Sequence, residues 1–392
     1  MNSRERVKAA MEHKPVDRVP VMCQLALGHY FLNSNYQPLD IWFDSVTFAQ
    51  VLIEFQQQYE FDGILINLPG RPSNWREYLN SYSHAENEER AVWNSGNITI
   101  VPFDDNLHTY QHNMQPLSRA HYESVDANDP ATYRIPGYVW NTWHAPSLWE
   151  IDKNADLTNP GSYPEWFTLA LRSVRSKGEE ISVHVEVFSP FTHLMELFGY
   201  EQALMALMDA PDKCHNLLSI FTEHVAARIK CHAGCDPDAL NISSAFAGAG
   251  FISREMYREF VVPYERRLVQ AAHDSNVPIY VHTCGAIGDR LDLMLESGYD
   301  GIDTLDPPPL GTVNLAEAKQ KYGEQFFFKG NLDAVNEMLS ADDQTFEKAV
   351  RNRLEIGKQG SGYILSSACS VAPHVKPERL KTMVELAKKY GV

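Results

Sequence analysis

The chain has 392 residues, of which 44% are hydrophobic and 11% aromatic, so it can bury a sizeable core and is not disordered, collagenous or coiled-coil. Its 34 basic and 51 acidic side chains give a net charge of −17. A surface this acidic repels phosphate backbones and anionic headgroups, so we expect no nucleic-acid partner. No run approaches the roughly 18 apolar residues of a membrane span, which predicts no membrane association. Six cysteines are too few for a disulfide scaffold, and we expect a cytoplasmic protein with reduced thiols.

Eight short apolar runs rich in β-branched and aromatic residues recur along the chain. They cover residues 19–23, 63–67, 181–187, 239–243, 278–282, 301–305, 326–329 and 362–365. Stretches with helical spacing separate most of them, for example 211–233, 253–274, 289–297, 345–356 and 377–390. This alternation predicts a (β/α)8 TIM barrel rather than an open doubly wound sheet, because no glycine-rich dinucleotide loop follows an early strand.

The alternation lapses between residues 69 and 163. This stretch contains five tryptophans and a predicted hairpin, with strands at 91–93 and 98–101 around the turn 94–97. No Ser/Gly linker or low-complexity tract separates it from the rest of the chain. We therefore predict a single TIM-barrel domain over residues 1–392, with 69–163 as an aromatic-rich insertion after strand two.

Residues with ligand chemistry follow three of the predicted strands. Strand five ends in His282-Thr283-Cys284, and alternation along the strand puts His282 and Cys284 on one face. Asp306 follows strand six, just before a rigid triple proline, and Cys369 follows strand eight. The carboxyl ends of barrel strands form the active-site face. An imidazole, two thiolates and a carboxylate there are the ligand types of tetrahedral zinc.

Each of these residues also has a purely structural interpretation. A His-x-Cys tripeptide arises readily by chance, a buried cysteine usually packs as a small hydrophobe, and an isolated aspartate often caps a turn. Their joint placement at one end of the barrel favours the metal site, with Asp303 as the rival carboxylate to Asp306. Three further polar residues lie near strand ends, where they either line a pocket or bond the backbone. They are Asn67, Glu186 and Asn331.

Several motifs, in order along nearly the whole chain, resemble the uroporphyrinogen decarboxylase superfamily. They are residues 3–11, 15–20, 189–192 (Ser-Pro-Phe-Thr), 252–264, 282–285 (His-Thr-Cys-Gly) and 329–333 (Lys-Gly-Asn-Leu-Asp). The superfamily contains porphyrinogen decarboxylases and zinc-dependent methyltransferases that work with corrinoid proteins. The decarboxylases carry an Arg-x-Ala-Gly-Arg-Tyr loop after strand one for substrate carboxylates. Here residues 24–30 read Gln-Leu-Ala-Leu-Gly-His-Tyr, without arginine.

Methyltransferase members of the superfamily carry His-x-Cys followed far downstream by a cysteine. The resemblance implies zinc-ligand roles for His282, Cys284 and Cys369, and it places Asp306 where such enzymes often have an acidic catalytic or ligating residue. An aspartate in place of the longer glutamate leaves direct ligation by Asp306 open. No Asp-x-His-x-x-Gly signature occurs in the chain. The resemblance therefore implies a corrinoid (cobalamin) carried by a separate partner protein.

We thus expect a zinc-dependent methyltransferase that moves a methyl group between a small-molecule donor or acceptor and a corrinoid protein. The expected reaction is demethylation of an O-methyl compound such as an aryl methyl ether. In that case Trp140 and Trp143 of the insertion would roof the pocket and stack on the ring, whereas the alternative is that they simply cover the side of the barrel. A porphyrinogen-type decarboxylase and a non-catalytic metal-binding barrel are the competing functions. The resemblance is compatible with a homodimer, although the sequence leaves the oligomeric state open.

Overall fold

The structure, a computed structural model, describes residues 1–68, 70–133 and 154–392. The strands in these residues are β1 (Gly63–Ile66), β2 (Leu79–His84), β3 (Glu88–Trp93), β4 (Ile98–Pro102), β5 (His108–Tyr110), β6 (Ser182–Phe188), β7 (Ala239–Ser243), β8 (Ile279–His282), β9 (Gly301–Thr304), β10 (Phe327–Leu332) and β11 (Tyr363–Ser367). Seven of them form one parallel sheet in the order β1-β6-β7-β8-β9-β10-β11. Chain order equals spatial order in this sheet, as in a barrel built from successive βα units.

Helices connect the parallel strands. In the described residues they are α1 (Ser3–Met11), α2 (Leu27–Asn33), α3 (Pro38–Phe43), α4 (Ser45–Tyr59), α5 (Leu169–Arg175), α6 (Pro190–Phe198), α7 (Tyr200–Asp209), α8 (Pro211–Ala233), α9 (Arg254–Phe260), α10 (Val262–Asp274), α11 (Leu291–Ser297), α12 (Leu315–Tyr322), α13 (Asp343–Gly357) and α14 (Pro377–Tyr390). None of these helices combines the length and the apolar character that crossing a bilayer requires.

The predicted first strand, 19–23, is not a regular strand but a bridge that closes the sheet. Val21 pairs in parallel with Leu365 of β11, and on the other side the Asp62 amide donates to the Val21 carbonyl at 2.8 Å. A longer ladder cannot form, because Pro20 has no N–H and the Val21 amide donates to the Asp62 side chain instead. The segment nevertheless joins β11 to the start of β1. The predicted TIM barrel is therefore confirmed, with its first strand reduced to this bridge.

Helix α1 closes the amino-terminal end of the barrel. Asn2 and Glu5 form a capping box that satisfies the free amides at the start of the helix. Side chains from α1 and from the inner faces of the strands then form one buried apolar cluster. Its members are Val7, Ala10, Met11, Met22, Leu65, Ala239, Tyr280, Phe327 and Ile364. Because this end is filled with side chains, any site must lie toward the other end of the barrel.

Aspartates near the starts of strands tie neighbouring segments together at this closed end. In each case a carboxylate oxygen accepts the backbone N–H of the preceding strand segment. The pairs are Val21 with Asp62, Val183 with Asp238 and Ile279 with Asp300, at 2.7 to 2.8 Å. Asp62 also binds Arg6 at 2.7 Å and Arg18 at 2.8 Å. A fully buried carboxylate with this many donors is well compensated.

The range predicted as an insertion, 69–163, contains a second sheet in its described part. Strands β2 to β5 are antiparallel and ordered β2-β3-β4-β5. The predicted hairpin is confirmed, since β3 pairs with β4 across the turn at 94–97, where Gly96 adopts a φ of +86°. Trp93 and Trp75 pack against Phe43, which joins this sheet to α3. Trp140 and Trp143 lie outside the described residues, so their role stays a prediction.

Candidate metal centre

The predicted ligands come from the carboxyl ends of β8 and β11. His282 is the last residue of β8, and Cys284 follows two residues later on the loop. Cys369 follows the end of β11 by two residues. Both strands belong to the central parallel sheet, whose carboxyl ends point the same way. The fold therefore carries the three side chains to one place.

The ligand atoms of these three residues converge. The His282 Nε2 lies 3.4 Å from the Cys284 Sγ, and the Cys284 Sγ lies 3.9 Å from the Cys369 Sγ. One nitrogen and two sulfur atoms all lie within 4.8 Å of one another. Among the residues that the structure describes, no other set of three His, Cys, Asp or Glu side chains is grouped in this way.

The other ring nitrogen of His282 is held by its neighbours on β9. The Asp303 Oδ2 lies 3.1 Å from the His282 Nδ1, and the Thr304 Oγ1 lies 2.9 Å from the same nitrogen. Thr304 has a φ of +80°, a left-handed conformation that is rare for a β-branched residue and concentrates at functional sites. The Nδ1 side of the ring is thus occupied by the protein, and the Nε2 side faces the thiols.

The electrostatics of the group favour one thiolate. A hydrogen bond from Cys284 lowers the pKa of Cys369 well below the usual thiol value, and His282 adds to this effect. The same contact, together with burial, raises the pKa of Cys284. Burial alone would lower the pKa of His282, but Asp303 and Cys369 outweigh it and raise that pKa to about 10. The three groups share protons that a metal ion would displace.

The two candidate carboxylates occupy different positions. Asp303 lies behind the imidazole, and its Oδ1 accepts from the Lys329 Nζ at 3.0 Å. Burial alone would raise the pKa of Asp303, but Lys329 and His282 lower it to about 2. Asp306 accepts the Gly285 amide at 2.6 Å, and burial raises its pKa to about 6. Both oxygens of Asp303 are engaged away from the thiols. Asp306 binds the residue after Cys284, but it belongs neither to the group of three ligand atoms nor to the lining of the cavity described below.

These residues fit a zinc ion by the chemistry of their donors. One imidazole with an available Nε2 and two thiols make a Cys2His set, which zinc binds in catalytic sites that keep a fourth position open. The hydrogen bond that the second ring nitrogen donates to a carboxylate is the usual way in which proteins orient such a histidine. Cys284 and Cys369 are only partly buried, and both line a cavity.

A cavity of about 240 Å³ opens beside this group. His282, Cys284 and Cys369 line it together with three aromatic residues, Trp42, Phe188 and Phe246. The predicted residues Asn67 and Glu186 also belong to the lining. Asn331 does not, because its amide donates to the Leu305 carbonyl at 2.9 Å. Of the two interpretations given for Asn331, the structure therefore shows the one in which the side chain binds the backbone.

Two features of the site carry little signal in the sequence. Trp42 reaches the cavity from α3, a short helix whose position depends on packing rather than on a motif. Lys329 stands out in the sequence as part of the Lys-Gly-Asn-Leu-Asp motif, and a lysine in an otherwise apolar strand (Phe326-Phe327-Phe328-Lys329) also indicates a buried charge. Such a lysine requires an acidic partner, which the sequence alone does not identify.

Comparison with known proteins places this site in a family. Residues 144–390 match the uroporphyrinogen decarboxylase (URO-D) family. The chain is 29% identical over 190 residues to the uroporphyrinogen decarboxylase of Thioalkalivibrio sulfidiphilus, covering 47% of this chain and 51% of that protein. It is 28% identical over 201 residues to the methylated-thiol–coenzyme M methyltransferase of Methanosarcina mazei, covering 51% of each. The chain thus spans about half the length of the curated relatives it matches.

The solved structures include a similar fold. A methyltransferase from Methanosarcina mazei superposes with a TM-score of 0.69 over 99% of both chains, at 14% sequence identity. Identity this low shows the shared fold alone. The family match, in contrast, covers more than half of the chain and includes His282, Cys284 and Cys369. The protein therefore belongs to the uroporphyrinogen decarboxylase family.

Proposed function

We propose that the protein is a zinc-dependent methyltransferase that moves a methyl group between a small molecule and a separate corrinoid protein. The observation that carries this proposal is the convergence of the His282 Nε2 with two thiol sulfurs within 4.8 Å, at the edge of a small cavity. This donor set suits zinc, and its position at the carboxyl ends of the strands is where barrels hold active sites. Similarity to a methyltransferase over half of the chain supports the same conclusion.

The cavity argues against the competing decarboxylase function. A substrate with many carboxylates needs arginine or lysine partners. No arginine or lysine occurs among the described residues that line the cavity, which instead include Glu186. A volume of about 240 Å³ lies below the range typical of drug-sized ligands, so a substrate of about one ring suits it better than a macrocycle.

Each side chain has a distinct proposed role. Zinc, when bound, stabilises negative charge on the atom that loses or gains the methyl group. Cys284 and Cys369 hold the metal as thiolates, and the Nε2 of His282 completes the protein ligands. Asp306 is proposed as the catalytic residue that holds or releases a proton at the substrate heteroatom, because it is a buried carboxyl with one oxygen bound to the amide of Gly285, the residue after Cys284.

The proposed methyl donor is an O-methyl compound, and an aryl methyl ether suits the lining best. Three aromatic side chains, Trp42, Phe188 and Phe246, give the cavity faces on which a ring can pack. Asn67 and Glu186 supply polar contacts for a ring substituent. Trp140 and Trp143 are proposed as additional stacking residues. The corrinoid is proposed to arrive on a partner protein that covers the open mouth of this cavity.

Metal analysis of the purified protein tests this proposal. We expect about one zinc per chain, and we expect Cys284→Ser and Cys369→Ser to lose both the metal and methyl transfer to a corrinoid protein. Cys214→Ser is the matched control, since Cys214 is a fully buried thiol on α8 that belongs to no ligand group in the described structure. Full activity of a metal-free preparation would contradict the proposal.

Incubation with uroporphyrinogen separates the competing function. The proposed methyltransferase releases no carbon dioxide from it, whereas a decarboxylase does so without zinc. Zinc binding without turnover of any methyl donor, with corrinoid protein supplied, would instead favour a non-catalytic metal-binding barrel.

A further inference from the structure

We propose that Lys329 is a positioning residue for the metal centre, acting on His282 through Asp303. This inference rests on the proposed metal site and extends it by one residue that touches neither ligand atoms nor cavity. It gives a role in orienting a metal ligand to a buried lysine that takes no part in the proposed methyl transfer. The argument comes from strand register, contact distances and burial.

The register of three neighbouring strands aligns the residues. His282 of β8 is paired with Asp303 of β9, and Asp303 is paired with Lys329 of β10. Directly paired residues on adjacent strands have side chains on the same face of the sheet. The three side chains therefore form a row across the inner face of the barrel, fixed by backbone hydrogen bonds rather than by loops.

Contacts run along the whole row. The Lys329 Nζ donates to the Asp303 Oδ1 at 3.0 Å, and the other oxygen of Asp303 lies 3.1 Å from the His282 Nδ1. With one oxygen held by the ammonium, the second oxygen is directed at the ring. A carboxylate can only accept, so the Nδ1 keeps its proton, and a metal ion that displaces the other ring proton would find the Nε2 lone pair at the ligand position.

Burial makes the pair between Lys329 and Asp303 obligatory. Lys329 is 1% exposed and Asp303 is 2% exposed, so neither charge can be compensated by water. Removing the lysine leaves the buried carboxylate with the imidazole as its remaining side-chain partner and leaves the Oδ1 without a donor. The imidazole would then lose its fixed orientation, although none of the metal ligands has changed. Lys329 does not line the cavity, so it acts through another residue rather than on substrate.

Zinc affinity, measured by competition with a chromogenic chelator, tests the inference. Lys329→Met keeps the length of the side chain but removes the charge, and we expect zinc binding about tenfold weaker or more. Asp303→Asn should weaken zinc binding more than Lys329→Met does. Lys329 attracts the amide oxygen, so the NH2 group turns toward the ring and donates to the Nδ1, and the ring proton then moves to the Nε2. Lys329→Arg, which restores the charge, should recover part of the affinity.

Arg6→Met provides the matched control. Arg6 is also a buried cation paired with a buried aspartate, Asp62, but at the closed end of the barrel. We expect this variant to lose stability while its zinc affinity stays unchanged. The absorption spectrum of the cobalt(II)-substituted protein gives a second readout, since a reoriented histidine changes the ligand field whereas general destabilisation does not.

The possible outcomes separate this inference from the proposed function. Weaker zinc binding and an altered cobalt spectrum in Lys329→Met, with neither change in Arg6→Met, support it. Equal affinity of Lys329→Met and the wild type, or equal losses in both variants, overturns it. Failure of the wild type to bind zinc overturns the proposed function and this inference together.

Discussion

Buried aspartates lie at both ends of the barrel and are used in different ways. At the closed end, Asp62 is fully buried and accepts from Arg6, Arg18 and the Val21 amide. At the open end, Asp303 is equally buried but binds one lysine and one imidazole, whose far nitrogen faces two thiols. At the closed end the aspartate of the ion pair also binds a backbone amide, whereas at the open end it binds the imidazole that carries a candidate ligand atom. We infer that a buried ion pair stabilises the fold when its aspartate binds backbone, and that it orients a functional side chain when its aspartate binds that side chain.

Unsatisfied polar atoms are a second feature of the open end. The lining of the cavity includes the Gln24 Oε1 and the Trp42 Nε1, which are buried and have no hydrogen-bond partner in the described structure. Buried polar atoms without partners are costly. At the closed end the aspartates that precede strands all have donors, although the His13 Nδ1 after α1 is also unsatisfied. The open end thus keeps hydrogen-bonding capacity that a ligand can use.

The largest predicted effect concerns the closed end. Asp62→Asn removes the negative charge that compensates Arg6 and Arg18, and we expect it to lower the free energy of unfolding by about 3 to 5 kcal/mol. Zinc content should not change in the fraction that remains folded. Chemical denaturation with parallel metal analysis measures both quantities. A variant that keeps its stability but loses zinc would reverse the roles that we assign to the two ends.

A smaller effect on stability is expected from His29 on α2, whose buried ring nitrogens contact the Pro373 carbonyl and the Tyr59 hydroxyl. Burial lowers its pKa to about 4, so the unfolded chain binds a proton near pH 6.5 that the folded protein does not. Its stabilising contribution is present above pH 6.5 and is lost as the pH falls toward 4. Between pH 7 and pH 5 the wild type should lose about 2 kcal/mol more than His29→Gln. Denaturation at both pH values measures this, with exposed His112→Gln as the control.

The smallest predicted effect concerns the open end. Gln24→Leu removes a buried acceptor of the cavity, and we expect the KM for an aryl methyl ether to rise about fivefold, which corresponds to roughly 1 kcal/mol. Its stability should be unchanged or slightly higher, because an unsatisfied polar atom disappears. Steady-state kinetics and thermal unfolding test the two parts. A loss of stability with unchanged KM would make Gln24 part of the scaffold.

The sequence was sufficient for the parts of the structure that depend on local pattern. Alternating strands and helices predicted the barrel, and the ends of β8 and β11 predicted the positions of His282, Cys284 and Cys369. These predictions work because the carboxyl ends of parallel strands must meet on one face. The prediction of a regular first strand was wrong, since a side-chain acceptor, Asp62, takes the Val21 amide out of the ladder.

Features that depend on the relative position of distant segments could not be predicted in this way. The row from His282 to Lys329 requires the exact pairing of three strands, and a shift of one residue would turn the side chains to opposite faces. Trp42 reaches the cavity through the packing of a short helix. The sequence left Asp303 and Asp306 as alternative candidates for the carboxylate of the metal site. The contact of Lys329 with Asp303 shows that one oxygen of Asp303 is bound by a lysine.

The two cysteines of the site are 85 residues apart in the chain. A ligand that binds both sulfur atoms therefore closes a loop that includes β9, β10 and β11. Closing such a loop reduces the conformational entropy of the unfolded chain, and this contribution grows only slowly with loop length. Occupation of the site would thus stabilise the folded arrangement of β9, β10 and β11 relative to the unfolded chain.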